Sequence, residues 1–147
     1  MSFQELIGTL QGGNALFLFG DQVRKIEEAV AQIVSVRDIA VRSGLHANAA
    51  RRILFRTDEL DIDLTIAEGS TAGKKTILGQ VLPRSSDDFY TSARIDLQYE
   101  TGRLATTTND LGEFRFDNMP SGEMRLEITF PDYHVVGYFM VHDQRAP

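Results

Sequence analysis

Asp58, Glu59, Asp61 and Asp63 are the densest set of hard oxygen ligands in the chain. Asp61 and Asp63 would share one face of a strand and could help chelate Ca²⁺ or Mg²⁺. The stretch lacks the ordered ligand positions and the glycine of an EF-hand. A solvated strand face that resists edge pairing is the simpler account. No metal or cofactor is expected; Asp58, Asp61 and Asp63 are the residues a metal would use. GSTAGKKT (69–76) looks briefly like a phosphate-binding loop. If Lys75-Thr76 is aligned to the end of that motif, Lys74 stands where a glycine is required, and a strand pattern follows instead of a helix. The three histidines, His46, His134 and His142, are far apart, and cysteine is absent, so a zinc site would need carboxylates such as Asp132 or Asp143. Ser85-Ser86 and Asp87-Asp88 lack a nucleophile elbow. These residues do not predict an enzyme.

The elements that would carry these residues divide the chain in two. Val23, Ile26, Val30 and Ile33 recur at helical spacing and predict an amphipathic helix. Asp21 would cap it and Gly44 would stop it, either as one helix or with a break near Ser35. From Ile53 the period drops to two. In DIDLTI (61–66), Asp61, Asp63 and Thr65 oppose Ile62, Leu64 and Ile66. Short strands at 76–83, 92–100, 103–108, 113–117, 123–130 and 134–141 follow, separated by turn residues. Strands spaced this closely without helices predict an antiparallel sandwich. The expected plan is α+β: a helical region at 1–50, a strand pair and linker at 51–75, and a β-sandwich at 76–147.

Between the strands, Asn109-Asp110-Leu111-Gly112 turns the chain ahead of Phe114 and Phe116. Asn109 and Asp110 can cap their own backbone, and Gly112 can enter the left-handed region. Pro120 and Gly122 mark the next turn. Thr108, Asn109, Gly112, Phe114, Phe116, Met119, Pro120, Gly122, Met124 and Leu126 together resemble the carboxypeptidase regulatory-like domain, which is related to the transthyretin and Cna-B folds. Gly79-Gln80-Val81 and Ala93-Arg94-Ile95-Asp96-Leu97 match its earlier strands. Asn109 replaces the usual Asp and Met124 the usual Tyr. The resemblance covers roughly residues 76–141. It implies a seven-stranded, prealbumin-like Greek-key sandwich that acts as a non-catalytic accessory module. It also extends to small bacterial proteins in which a strand pair like 52–66 precedes the sandwich. The Cna-B isopeptide bond is not expected, because 134–141 holds no Asn to join Lys74 or Lys75.

A second resemblance runs through SVRDIAVRSGLHANAARRIL (35–54). Asp38, Ile39, Ala40, Gly44, Leu45, Arg51 and Leu54 match the helix-turn-helix of bacterial repressors, with Arg51 and Arg52 as candidate nucleic-acid contacts. His46 to Ala50 offers few base-reading side chains. The net charge of −6, with no strongly basic segment, argues against nucleic acid as the main partner. ALFLF (15–19) is far short of a membrane span and would form an association patch if exposed. The N-terminus carries Glu5 and no basic signal region. The sequence therefore predicts a cytoplasmic, non-enzymatic regulatory or interaction module that docks another protein through its N-terminal region, with self-association as a further expectation. A DNA-binding regulator and a carbohydrate- or small-ligand-binding sandwich are the alternatives.

Overall fold

The computed structural model describes residues 14–19, 22–43, 46–85, 88–131 and 133–142. They form strands β1 (Asn14–Phe19), β2 (Gln22–Val30), β3 (Gln32–Ser43), β4 (His46–Arg56), β5 (Leu60–Glu68) and β6 (Lys75–Pro83). These are followed by β7 (Arg94–Tyr99), β8 (Gly102–Thr107), β9 (Glu113–Met119), β10 (Gly122–Thr129) and β11 (Tyr133–Val141). No helix occurs among the described residues, so the α+β plan with an N-terminal helix is incorrect. The seven-stranded count also fails. The N-terminal region contributes strands of its own, and the described residues place eleven strands in two sheets.

The misread segment is rich in β-branched residues, including Val30, Ile33, Val34, Val36, Ile39 and Val41. Such side chains lose rotamer freedom in a helix and suit a pleated surface. Pairing with neighbouring strands then decides the outcome. Asp21 and Gly44, the expected helix cap and stop, lie outside the described residues.

One sheet has the order β1-β2-β11-β10-β7-β8 and the other β3-β4-β5-β6-β9. Every pairing is antiparallel except β2 with β11, a short parallel ladder from Tyr133↔Glu27 to Val136↔Val30. Only Ala31 separates β2 from β3, so the chain passes from one sheet to the other without a loop. The Ala31 N–H donates to the Val136 carbonyl at 2.8 Å, which fixes where the crossing occurs.

The sheets enclose one apolar core. β5 alternates buried Leu60, Ile62, Leu64 and Ile66 with half-buried Asp61, Asp63 and Thr65, as its period predicts. Phe114, Phe116, Ile95, Leu97, Leu126 and Ile128 are also buried. Burying each such side chain contributes roughly 1.5–3 kcal/mol. Phe55 joins the sheets: its ring meets Phe139 edge-on, with centroids 6.0 Å apart. A Cβ on Gly137 would come within 3.1 Å of the same ring, so the missing side chain lets β11 lie close over β4. Residues 51–75 therefore supply Ile53, Phe55, Leu60, Ile62, Leu64 and Ile66 to the core that also holds the later strands.

Candidate functional site

The register of β3 on β4 shows where the core stops. Ile33 lies opposite Phe55 and Val36 opposite Ile53, so each pair shares the inward face of the sheet. Phe55 and Ile53 are buried, but Ile33 and Val36 are 45% and 52% exposed. The apolar inner face therefore extends past its cover. Val34, at a bulge between Ile33 and Ser35, and Val30 at the end of β2 are exposed as well.

The crossing at Ala31 explains this overhang. β11 lies over β4, and β2 runs beside β11 in the lane that would cover β3. β2 keeps that lane only as far as Val136, and the chain then drops into the other sheet. Among the described residues, no strand pairs with Gly137–Val141 on that side. Backbone groups alternate in direction along a strand, so Tyr138 and Met140 share the direction of Val136 and face the lane that β2 leaves.

Two basic side chains, each paired with an acid, stand between the ends of the sheets on the β5–β6 side of β4. Arg51 lies in the inward row with Ile53 and Phe55, and Lys75 lies in the inward row of β6. Together with Ile66, Met140 and His142 they line a recess of about 10 Å³ between the ends of the sheets. Arg51 Nε donates to Asp38 Oδ1 at 3.4 Å, and the Asp38 side chain is 70% exposed. Buried Lys75 pairs with Glu68, whose side chain is more than a third exposed.

The other candidates singled out from sequence form cross-strand ion pairs. Arg52 Nε donates to Asp63 Oδ1 at 2.9 Å, and a second nitrogen completes a bidentate pair. Arg56 grips Asp61 at 2.9 and 3.1 Å. Hydrogen bonding to Asp63 and to Asp61 holds the two guanidinium pKa values above the ordinary arginine value. Asp61 and Asp63 are thus occupied by cations, while Asp58 sits exposed in the turn before β5. Among the described residues, no three His, Asp or Glu side chains are grouped to hold a metal. Arg51 and Arg52 point to opposite faces of β4, and the expected recognition helix is that strand. Gly44 and Leu45, the expected turn of the helix-turn-helix, lie outside the described residues, as do Ser86, Asp87, Asp132 and Asp143.

The corner at 109–112 is built from local hydrogen bonds. Asn109 Oδ1 accepts from the N–H groups of Leu111 at 3.0 Å and Glu113 at 2.9 Å. Gly112 has φ +75°, and a Cβ there would stand 2.6 Å from the Val81 carbonyl oxygen. Asp110 is exposed beside it, and Pro120 precedes Gly122, whose φ is +123°. These five residues make turns. Near the corner, a hollow of about 410 Å³ is lined by Leu78, Thr106, Thr107, Asn109, Glu113 and Arg115, with Phe114 as its single aromatic.

A polar strip on the outer face of the first sheet was not anticipated. Asp96, almost fully buried, accepts from Arg94 at 3.0 and 3.1 Å and pairs with Arg103 at 3.3 Å. Across the sheet, Arg125 pairs with Glu127 at 2.7 Å, and His134 Nε2 lies 2.9 Å from Glu28 Oε2. Burial works against the charged Arg125 guanidinium, but the Tyr138 hydroxyl and Glu127 outweigh it and hold its pKa above the ordinary value. The signal in the sequence was an arginine two residues before an acid, in Arg94-Ile95-Asp96 and Arg125-Leu126-Glu127, which places both on one strand face.

The chain matches no family model, no curated protein and no solved structure.

Proposed function

We propose that the chain is a non-enzymatic interaction module that binds another protein through its N-terminal strands. The observation that supports this reading is the exposed inner face of β3, where Ile33 and Val36 continue the core row into solvent beside a stretch of β11, Gly137–Val141, with which no strand among the described residues pairs on that side. An apolar face next to a strand edge suits an added strand. The docking element read from sequence as a helix becomes a strand surface in this proposal. The resemblance to a carboxypeptidase regulatory-like domain remains part of it, supported by the turn at 109–112 and the Phe114–Phe116 pair. The absence of cysteine suits a cytoplasmic setting. No helix among the described residues is long and apolar enough to cross a membrane.

The test is affinity capture from the source cell with the full chain and with the double variant Ile33→Lys/Val36→Lys. Circular dichroism would first show that both are folded. Proteins retained by the parent and lost with the variant are the expected outcome. An identical retained set would overturn the reading.

A further inference from the structure

We propose that His134 is a pH-sensitive clasp: its imidazolium form holds the strand pair β1–β2 against β11, and its neutral form weakens that hold. This goes beyond the interaction reading above and does not depend on it.

The ring stands between two carboxylates that belong to different strands. Nε2 lies 2.9 Å from Glu28 Oε2 on β2, and Nδ1 lies 3.7 Å from Glu127 Oε1 on β10. A neutral imidazole carries one N–H. Whichever carboxylate faces that N–H, the lone pair of the other ring nitrogen points at the second one. The imidazolium carries two N–H groups and serves both. Burial works against the imidazolium, because the His134 side chain is 12% exposed. It works harder against the Glu28 carboxylate, whose side chain is 2% exposed, and one proton on the ring sets the two charges against each other. Glu127 is also held by Arg125 at 2.7 Å, and Arg94 of β7, itself gripped by Asp96, adds a more distant positive charge. Glu28 therefore gains more than Glu127 from the proton on the ring.

The position of this contact decides what it controls. Glu28 and His134 are register partners in the β2–β11 ladder, which has four residue pairs and is followed by the Ala31 bond to Val136. β1 lies beyond β2 in the sheet, so both strands dock through that ladder. β5, by contrast, is paired with β6 at nine positions. Undocking carries Glu28 away from the ring, so protonation favours the docked strand pair. Docking is then strongest below the titration of the imidazole and weakens as pH rises through it.

The experiment follows backbone hydrogen exchange of the full chain by NMR at pH about 5.5 and about 8.5, either side of the ordinary histidine range, with the intrinsic rate divided out. The Ala31 amide and its neighbours in β2 should lose at least about tenfold in protection between the two, and the β5 amides less. His134→Gln keeps a donor for Glu28 but cannot take up the proton, and should abolish the pH dependence. Glu28→Gln removes the buried charge and should keep β2 protected at the higher pH. Unchanged protection of β2 in the parent, or a loss that persists in either variant, would overturn the proposal. So would an equal loss in β5, because the whole fold and not the strand pair would then be responding.

Discussion

At the residue scale, the turn at 109–112 concentrates the strictest demands on side-chain identity. Gly112 combines a left-handed φ with a neighbouring carbonyl 2.6 Å from where a Cβ would stand. Gly112→Ala should therefore cost about 1–3 kcal/mol, through backbone strain and displacement of β6 together. Gly122 also has a positive φ, but no atom lies within 4 Å of its added Cβ. Gly122→Ala should lower the urea midpoint less than Gly112→Ala, and the reverse order would refute the steric part of the account. Asn109→Ala removes an oxygen that accepts two backbone N–H groups and should cost about 1 kcal/mol in the same assay. These roles were legible in the sequence because Asn and Gly act on the backbone next to them. The recess beside Arg51 was not legible, because Lys75 and His142 come to line it only through the pairing of the strands.

At the scale of elements, the facing charges of β4 and β5 are a register device more than a source of stability. The Arg52 side chain is 42% exposed and its pair with Asp63 is open to screening by water. A double-mutant cycle on Arg52 and Asp63 should return no more than about 1 kcal/mol of coupling. The raised pKa of Arg52 means that its contribution is fully present below the unfolded-state arginine value and is lost only as pH rises through the higher folded one. The cycle should therefore read the same at neutral and mildly alkaline pH; a decline between them would contradict the assignment. The alternation of β5 was readable because one of its faces is buried and the other wet. β2 and β3 misled because Val23, Ile26, Val30 and Ile33 also fit a helical stripe. Intrinsic preference separates the two forms weakly, and the deciding contacts with β4 and β11 are distant in sequence.

At the scale of the whole molecule, Phe55 ties the sheets together through Phe139 and the bare backbone at Gly137. Phe55→Ala should destabilise the protein by about 3–5 kcal/mol, and intrinsic fluorescence and circular dichroism should still report one coincident transition. Separate transitions would show that the sheets unfold independently. The crossing at Ala31 has another consequence, for which lengths of chain can be inherited. The connection at 69–74 joins β5 to β6 outside the sheet, and lengthening it adds little closure entropy. Ala31 has no such freedom, because β2 ends on one side of it and β3 begins on the other. A single codon inserted there would put β3 out of phase, turning Arg37 toward the interior and Val36 away. Relatives of this chain should therefore vary in length almost anywhere before they vary at this joint.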